Sequence, residues 1–332
     1  MYRTATAVIR WHSVTDELKN SKKPLAQWFR AVLPHTDDVF RVFRESVVEP
    51  CVEPPPGVLG GTAGAAFDLL TRSSLGTALT SNSVVGSIYD CCPSRAWAEA
   101  AWEVVAAMDS RLLQRRYRHT YEGAGEELLR GCWAVALFVE LVRGVQFERS
   151  ALGLLGDRPT YSDILGVMPA SAIDDLRCLE RAFVDVLLPM IRSRRGNLCT
   201  GPAFSTVLPG DADLIKGTTL IEMKAMVHRR KRDGTPRYGL DSRLIYQILA
   251  YALLAQERFA INEVVVFDAR YAHVYSWPLD LLLTELAGAD VRAHKLAARL
   301  RMFLEDPLDA RVPPAARRAA LAVVERAAIR HS

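Results

Sequence analysis

The chain changes texture at Asp211, and that change constrains its fold more than any bulk property. Asp211-Ala-Asp213-Leu-Ile, Lys216-Gly217 and Thr218-Thr-Leu-Ile-Glu222-Met-Lys224 read as two strands joined by a tight turn. A basic loop follows, then a strongly apolar helix from Asp241 to about Gln256, then two further strands, Glu263–Ala269 and His273–Trp277. Everything before this block reads mainly as helix, with apolar residues at three- and four-residue spacing near 16–32, 36–49, 94–118, 125–144 and 171–194. A Pro/Gly-rich connection at 52–62 leads into a short helix, Ala63–Arg72, and a second connection, Gly196–Gly210, precedes the strands. Pro278 opens helices that run to the C-terminus, interrupted near Pro307 and at Pro313-Pro314.

Bulk properties exclude more than they assign. The net charge is +4 over 332 residues, so basicity has to be judged by where the charges lie. The first residues contain no apolar stretch of signal-peptide length, and no apolar run is long enough to span a membrane, so a cytoplasmic protein without a membrane partner is expected. Six cysteines are scattered without a CxxC pair, which argues against a zinc or iron–sulfur site.

The chemistry concentrates in the hairpin. With Lys216-Gly217 as a two-residue turn, 215 lies opposite 218, 213 opposite 220 and 211 opposite 222. Asp211, Asp213, Glu222 and Lys224 then share one face, while Ile221 and Met223 point the other way, towards a core. Clustered carboxylates suit Mg²⁺ or Mn²⁺, and a neighbouring lysine can orient a nucleophile. A solvated hairpin with cross-strand ion pairs is the alternative. In the following helix Arg243, Gln247 and Tyr251 recur every four residues, forming one polar stripe on an otherwise apolar surface. Such a stripe needs hydrogen-bonding partners or a functional cleft.

Gly210-Asp-Ala-Asp213, Glu222-Met-Lys224 and Gln247-Ile-Leu-Ala-Tyr251 together resemble the GxxD, (D/E)xK and QxxxY motifs of RecB-type nucleases, within the PD-(D/E)XK superfamily. The likeness extends over about 197–280 and, more thinly, 58–72, and is shared with a group of actinobacterial proteins carrying the same core. It implies an α/β fold with a restriction-endonuclease-like core, a central mixed sheet flanked by helices, and a large helical elaboration. The core would occupy 58–75 and 196–290, with an N-terminal helical region at 1–57, a helical insertion at 76–195 and C-terminal helices at 291–332.

The resemblance implies a metal-dependent phosphodiesterase using Mg²⁺ or Mn²⁺, acting on DNA in preference to RNA, in a repair or defence setting. Asp213, Glu222 and the Met223 backbone carbonyl would hold the metal, Lys224 would be the catalytic lysine, and Gln247 and Tyr251 would complete the site. RecB-type enzymes also carry an upstream GxxxH. Here Gly64-Ala-Ala-Phe-Asp68 has that spacing, with Asp68 as the metal ligand in place of histidine and Gly64 allowing close approach to the sheet. Some relatives hold an iron–sulfur cluster through cysteines beyond QxxxY; no cysteine follows Cys199, so none is expected. Arg229, Arg230, Lys231, Arg232, Arg237 and Arg243 would meet phosphates of the nucleic acid. The substitution at Asp68 keeps a second reading open, a nucleic-acid-binding protein on the same fold that no longer cleaves. A helical scaffold with an incidental hairpin is a third. Glu180 is expected at the surface or paired with Arg177.

Overall fold

The computed structural model describes residues 11–46, 52–58, 60–79, 83–116, 123–204, 207–225, 229–230, 236–237 and 241–329. Seven strands are present among them: β1 (Leu198–Thr200), β2 (Leu214–Lys216), β3 (Thr219–Lys224), β4 (Arg229–Arg230), β5 (Pro236–Arg237), β6 (Glu263–Asp268) and β7 (His273–Pro278). Five form one mixed sheet in the order β1-β2-β3-β6-β7, with β3 parallel to β6 and all other pairs antiparallel. A parallel pair needs a crossover, and here it runs through the Ser242–Leu254 helix. Asp241 caps that helix by accepting a hydrogen bond from the Leu244 N–H at 2.9 Å. The chain is an α/β protein.

Alternation along the strands sorts side chains into two cores. Leu214, Ile221, Met223, Val265 and Phe267 join the helices Gly60–Ser74, Arg95–Arg116, Glu126–Val142 and Ala170–Ala182 on one face. Ile215, Leu220, Val264, Val266 and Trp277 join the Ser242–Leu254 helix on the other, together with both ends of the described chain: Val14–Lys19, Pro24–Val32 and Thr36–Ser46, and Leu279–Ala287 and Ala293–Glu305. Both faces are therefore covered, which is why β6 reads Val-Val-Val-Phe without a polar alternation.

The structure corrects several expectations. The hairpin turn is Gly217-Thr218, one residue later than expected, because Lys216 pairs with Thr219. Gly217 must occupy the first central position, where its φ is +60°, whereas Thr218 keeps an ordinary φ. A Cβ at Gly217 would also come within 2.5 Å of the Arg195 carbonyl oxygen. Leu214 now lies opposite Ile221, and continuing the ladder puts 213 opposite 222. The pairing shifts by two residues, so every side chain stays on the face assigned from alternation. The connection at 196–210 contains β1, an edge strand too short to show in the sequence pattern. The single helix expected over 16–32 is two helices broken before Pro24, which opens the second. The helix expected over 171–194 contains a π-helical stretch, Phe183–Leu187, just before Pro189, whose missing N–H cannot continue the regular ladder. The basic loop pairs β4 with β5, setting Arg229 opposite Arg237.

Candidate active site

Asp213 and Glu222 come from neighbouring strands on the face covered by the Ser242–Leu254 helix. Asp213 sits just before β2, where its Oδ2 accepts a hydrogen bond from the Met223 N–H at 2.6 Å. In an extended strand a residue's N–H and C=O point to the same side, so the Met223 carbonyl also turns towards Asp213. The next residue turns the opposite way: the Lys224 carbonyl accepts from the Ala269 N–H at 2.7 Å. Glu222 is 2% exposed; its Oε1 accepts from the Lys224 Nζ at 2.5 Å. Its other oxygen, Oε2, is buried with no hydrogen-bond partner.

Arg72 dominates the remaining geometry. It lies on the Gly60–Ser74 helix, one turn after Asp68, and its side chain is only 10% exposed. Its Nε donates to Asp68 Oδ1 at 2.6 Å and its Nη2 to Asp213 Oδ1 at 2.7 Å, while Nη1 lies 3.5 Å from Asp211 Oδ2. Gly201, at φ +60°, lets the guanidinium in; a Cβ there would stand 2.9 Å from Nη1. The arginine was not singled out by sequence, although its i,i+4 spacing from Asp68 was a usable signal.

Gln247 and Tyr251 are brought together: Gln247 Nε2 donates to Tyr251 Oη at 3.1 Å, and Thr15 Oγ1 lies 3.5 Å from the same hydroxyl. Thr15 was not anticipated either. Burial increases along the stripe, from exposed Arg243 through half-buried Gln247 to buried Tyr251. Arg243 is thus at the solvent end of the helix and not within the polar cluster. Gly210 packs on this tyrosine, since a Cβ there would meet Tyr251 Cε1 and Val14 Cγ2, each at 2.9 Å. Gly64, by contrast, has nothing within 4 Å of a built Cβ. The close approach expected at Gly64 is absent, and the glycine that permits close packing is Gly210.

Electrostatics follow from burial. Desolvation, reinforced by Asp213 and opposed by Lys224, pushes the Glu222 carboxyl up to about 7. Desolvation also pushes Asp68 up to about 6, with Arg72 opposing and Asp213 reinforcing. Burial works against the Lys224 ammonium, but Glu222 and Asp213 outweigh it and hold the pKa above the ordinary lysine value. Burial raises the Tyr251 hydroxyl as well.

Among the described residues no group of three or more His, Cys, Asp or Glu side chains is placed to hold a metal ion. Asp68 in particular is engaged by Arg72. Asp213 and Glu222 nonetheless fit a hard divalent cation, which needs only one or two carboxylates and keeps its waters. The buried, unpartnered Glu222 Oε2 is the observation that supports this fit. Lys231 and Arg232 lie outside the described residues, as do the side chains of Arg229, Arg230 and Arg237. Glu180 is neither exposed nor paired with Arg177: it is 3% exposed and accepts from the Ala124 N–H at 2.9 Å, while Arg177 pairs with Asp174. Beside Arg72 opens a cavity of about 230 Å³, lined by Ser73, Thr77, Thr200 and Asp211 among others. No protein-family model, curated protein or solved structure matches this chain.

Proposed function

We propose that this protein is a divalent-metal-dependent nuclease that hydrolyses phosphodiester bonds, in DNA in preference to RNA, on a restriction-endonuclease-like core. The order of elements supports the core: the Gly60–Ser74 helix, the β1-β2-β3 meander, the Ser242–Leu254 crossover and then β6 parallel to β3. The single observation that carries the activity is the Asp213–Glu222–Lys224 group, in which buried Glu222 keeps one carboxylate oxygen without a partner. A buried carboxylate oxygen without a partner is costly, and a bound cation would satisfy it.

Asp213, Glu222 and the Met223 carbonyl would hold Mg²⁺ or Mn²⁺. When bound, such an ion supplies an activated water and charge stabilisation at phosphorus. Lys224, kept protonated by Glu222 and Asp213, orients the attacking water and faces the charge developing on the phosphoryl oxygens. Gln247 and Tyr251 hold each other in one orientation at the edge of the site, and the amide and hydroxyl contact the substrate backbone. Arg243, at the exposed end of the same helix, would meet phosphates of the strand.

A second reading has one observation in its favour. Arg72 already places a cation across Asp68 and Asp213, as a nucleic-acid-binding protein that no longer cleaves would allow. Cleavage of single-stranded DNA, double-stranded DNA and RNA with Mg²⁺ or Mn²⁺, comparing wild type with Lys224→Ala, separates the two. The nuclease reading expects metal-dependent cleavage that falls by about a hundred- to a thousandfold in Lys224→Ala. Equal activity in both proteins, or binding without cleavage by the wild type, sinks it.

A further inference from the structure

Arg72 is held in an unusual way for a buried arginine. A guanidinium normally offers Nε and one Nη to the two oxygens of a single carboxylate. Here that edge is split, with Nε on Asp68 and Nη2 on Asp213, and no carboxylate receives both donors. Among the described residues, Asp68, Asp211 and Asp213 share the one guanidinium of Arg72, and Glu222 pairs with Lys224. Glu222 Oε2, at the buried side of this group, has no partner at all. Finally, the cavity lined by Arg72, Ser73, Thr77 and Thr200 gives the guanidinium somewhere to go without leaving its helix.

We propose that Arg72 is an exchangeable counter-cation: it neutralises Asp213 while no metal is bound, and a divalent ion joining Asp213 to Glu222 displaces it towards the adjoining cavity. This rests on the metal-dependent reading above and adds to it a built-in competitor for the ion. A cation already on Asp213 Oδ1 lowers what a second one gains at that carboxylate, so the arginine would set how much metal is needed to switch the site on. The split fork makes the exchange feasible, since each arm gives up one hydrogen bond instead of a bidentate pair. Arg72 is therefore a positioning residue that acts through Asp213.

The test is Mn²⁺ binding to the full chain, read from the loss of the free-ion electron paramagnetic resonance signal. Arg72→Gln is expected to bind Mn²⁺ at least about tenfold more tightly than wild type, Arg72→Lys less so, and Asp213→Asn to abolish binding in either background. A merely structural arginine predicts the opposite sign, because its loss would loosen the site. If wild type binds Mn²⁺ through Asp213 and Arg72→Gln binds no more tightly, the exchange is wrong while the metal reading stands. If neither protein binds Mn²⁺, both are wrong. Wild type alone supplies an independent check should Arg72→Gln fail to fold. The Arg72 Nε–H resonance, assigned by its loss in Arg72→Lys, is expected to move on Mg²⁺ titration, and an unchanged signal at saturating Mg²⁺ overturns the exchange.

Discussion

Among the described residues two arginines are buried, and they are held in opposite ways. Arg270 follows β6 and gives Nη1 and Nη2 to the two oxygens of Asp175 on the Ala170–Ala182 helix, at 2.5 and 2.8 Å; both side chains are at most 1% exposed. The pair ties the helical layer to the end of the sheet. Arg72 divides its donors among three carboxylates, next to a fourth with an unpartnered oxygen. In the first arrangement one carboxylate receives both Nη groups, which has the character of a strut. The second shares one guanidinium among three carboxylates, and that sharing separates a site from a brace where burial does not, since both arginines are buried.

The largest effect separating the two is expected from Asp175→Ala. It strands the Arg270 guanidinium inside the protein, and urea denaturation is expected to show a loss of about 3–5 kcal/mol that added Mn²⁺ does not repair. Asp68→Asn is expected to cost less, because Arg72 keeps Asp213. A loss as large as that of Asp175→Ala would mean the Arg72 cluster is a strut too.

Next in size is a glycine contrast. Gly210→Ala forces a methyl against Tyr251 and Val14 and should cost about 1–3 kcal/mol. Gly64→Ala meets nothing and removes a flexible residue from the middle of a helix, so it should stabilise by about 0.5–1 kcal/mol. Destabilisation by Gly64→Ala would restore the close helix–sheet approach that the motif spacing implied.

The pH dependence is the subtlest. Asp68 and Glu222 have folded-state values of about 6 and about 7, above the ordinary 3.8 and 4.5. Between those limits the folded chain binds more protons than the unfolded one, so stability falls as pH rises through the window. In metal-free protein the melting temperature is therefore expected to decline from about pH 4 to about pH 7. Glu222→Gln should remove the upper part of that decline, and bound Mn²⁺ should flatten it. A melting temperature that climbs across the same range would show the carboxylates ionised and satisfied without metal.

Much of the site was legible from period and spacing. Residues alternate along β3, so Glu222 and Lys224 had to share a face opposite Ile221 and Met223, and this survived a turn placed one residue too early, because a shift of two in pairing preserves parity. Gln247 and Tyr251 met because four residues make about one helical turn. The short edge strand β1 was illegible, since three residues carry too little pattern. The π-helical stretch before Pro189 was hidden inside a continuous apolar periodicity.

Sequence by itself determined which residues could face one another within an element or across a tight hairpin, because local geometry has fixed periods. Tertiary structure alone decided which distant groups complete the charge balance. Arg72 and Asp213 are far apart in the chain, and only the docking of the Gly60–Ser74 helix beside the β1–β2 end of the sheet puts a guanidinium between Asp68 and Asp213. Likewise, only packing of the N-terminal helices places Thr15 on Tyr251 and Val14 on Gly210. No periodicity encodes such meetings, since they depend on how whole layers stack and on which buried charges remain to be neutralised once they do.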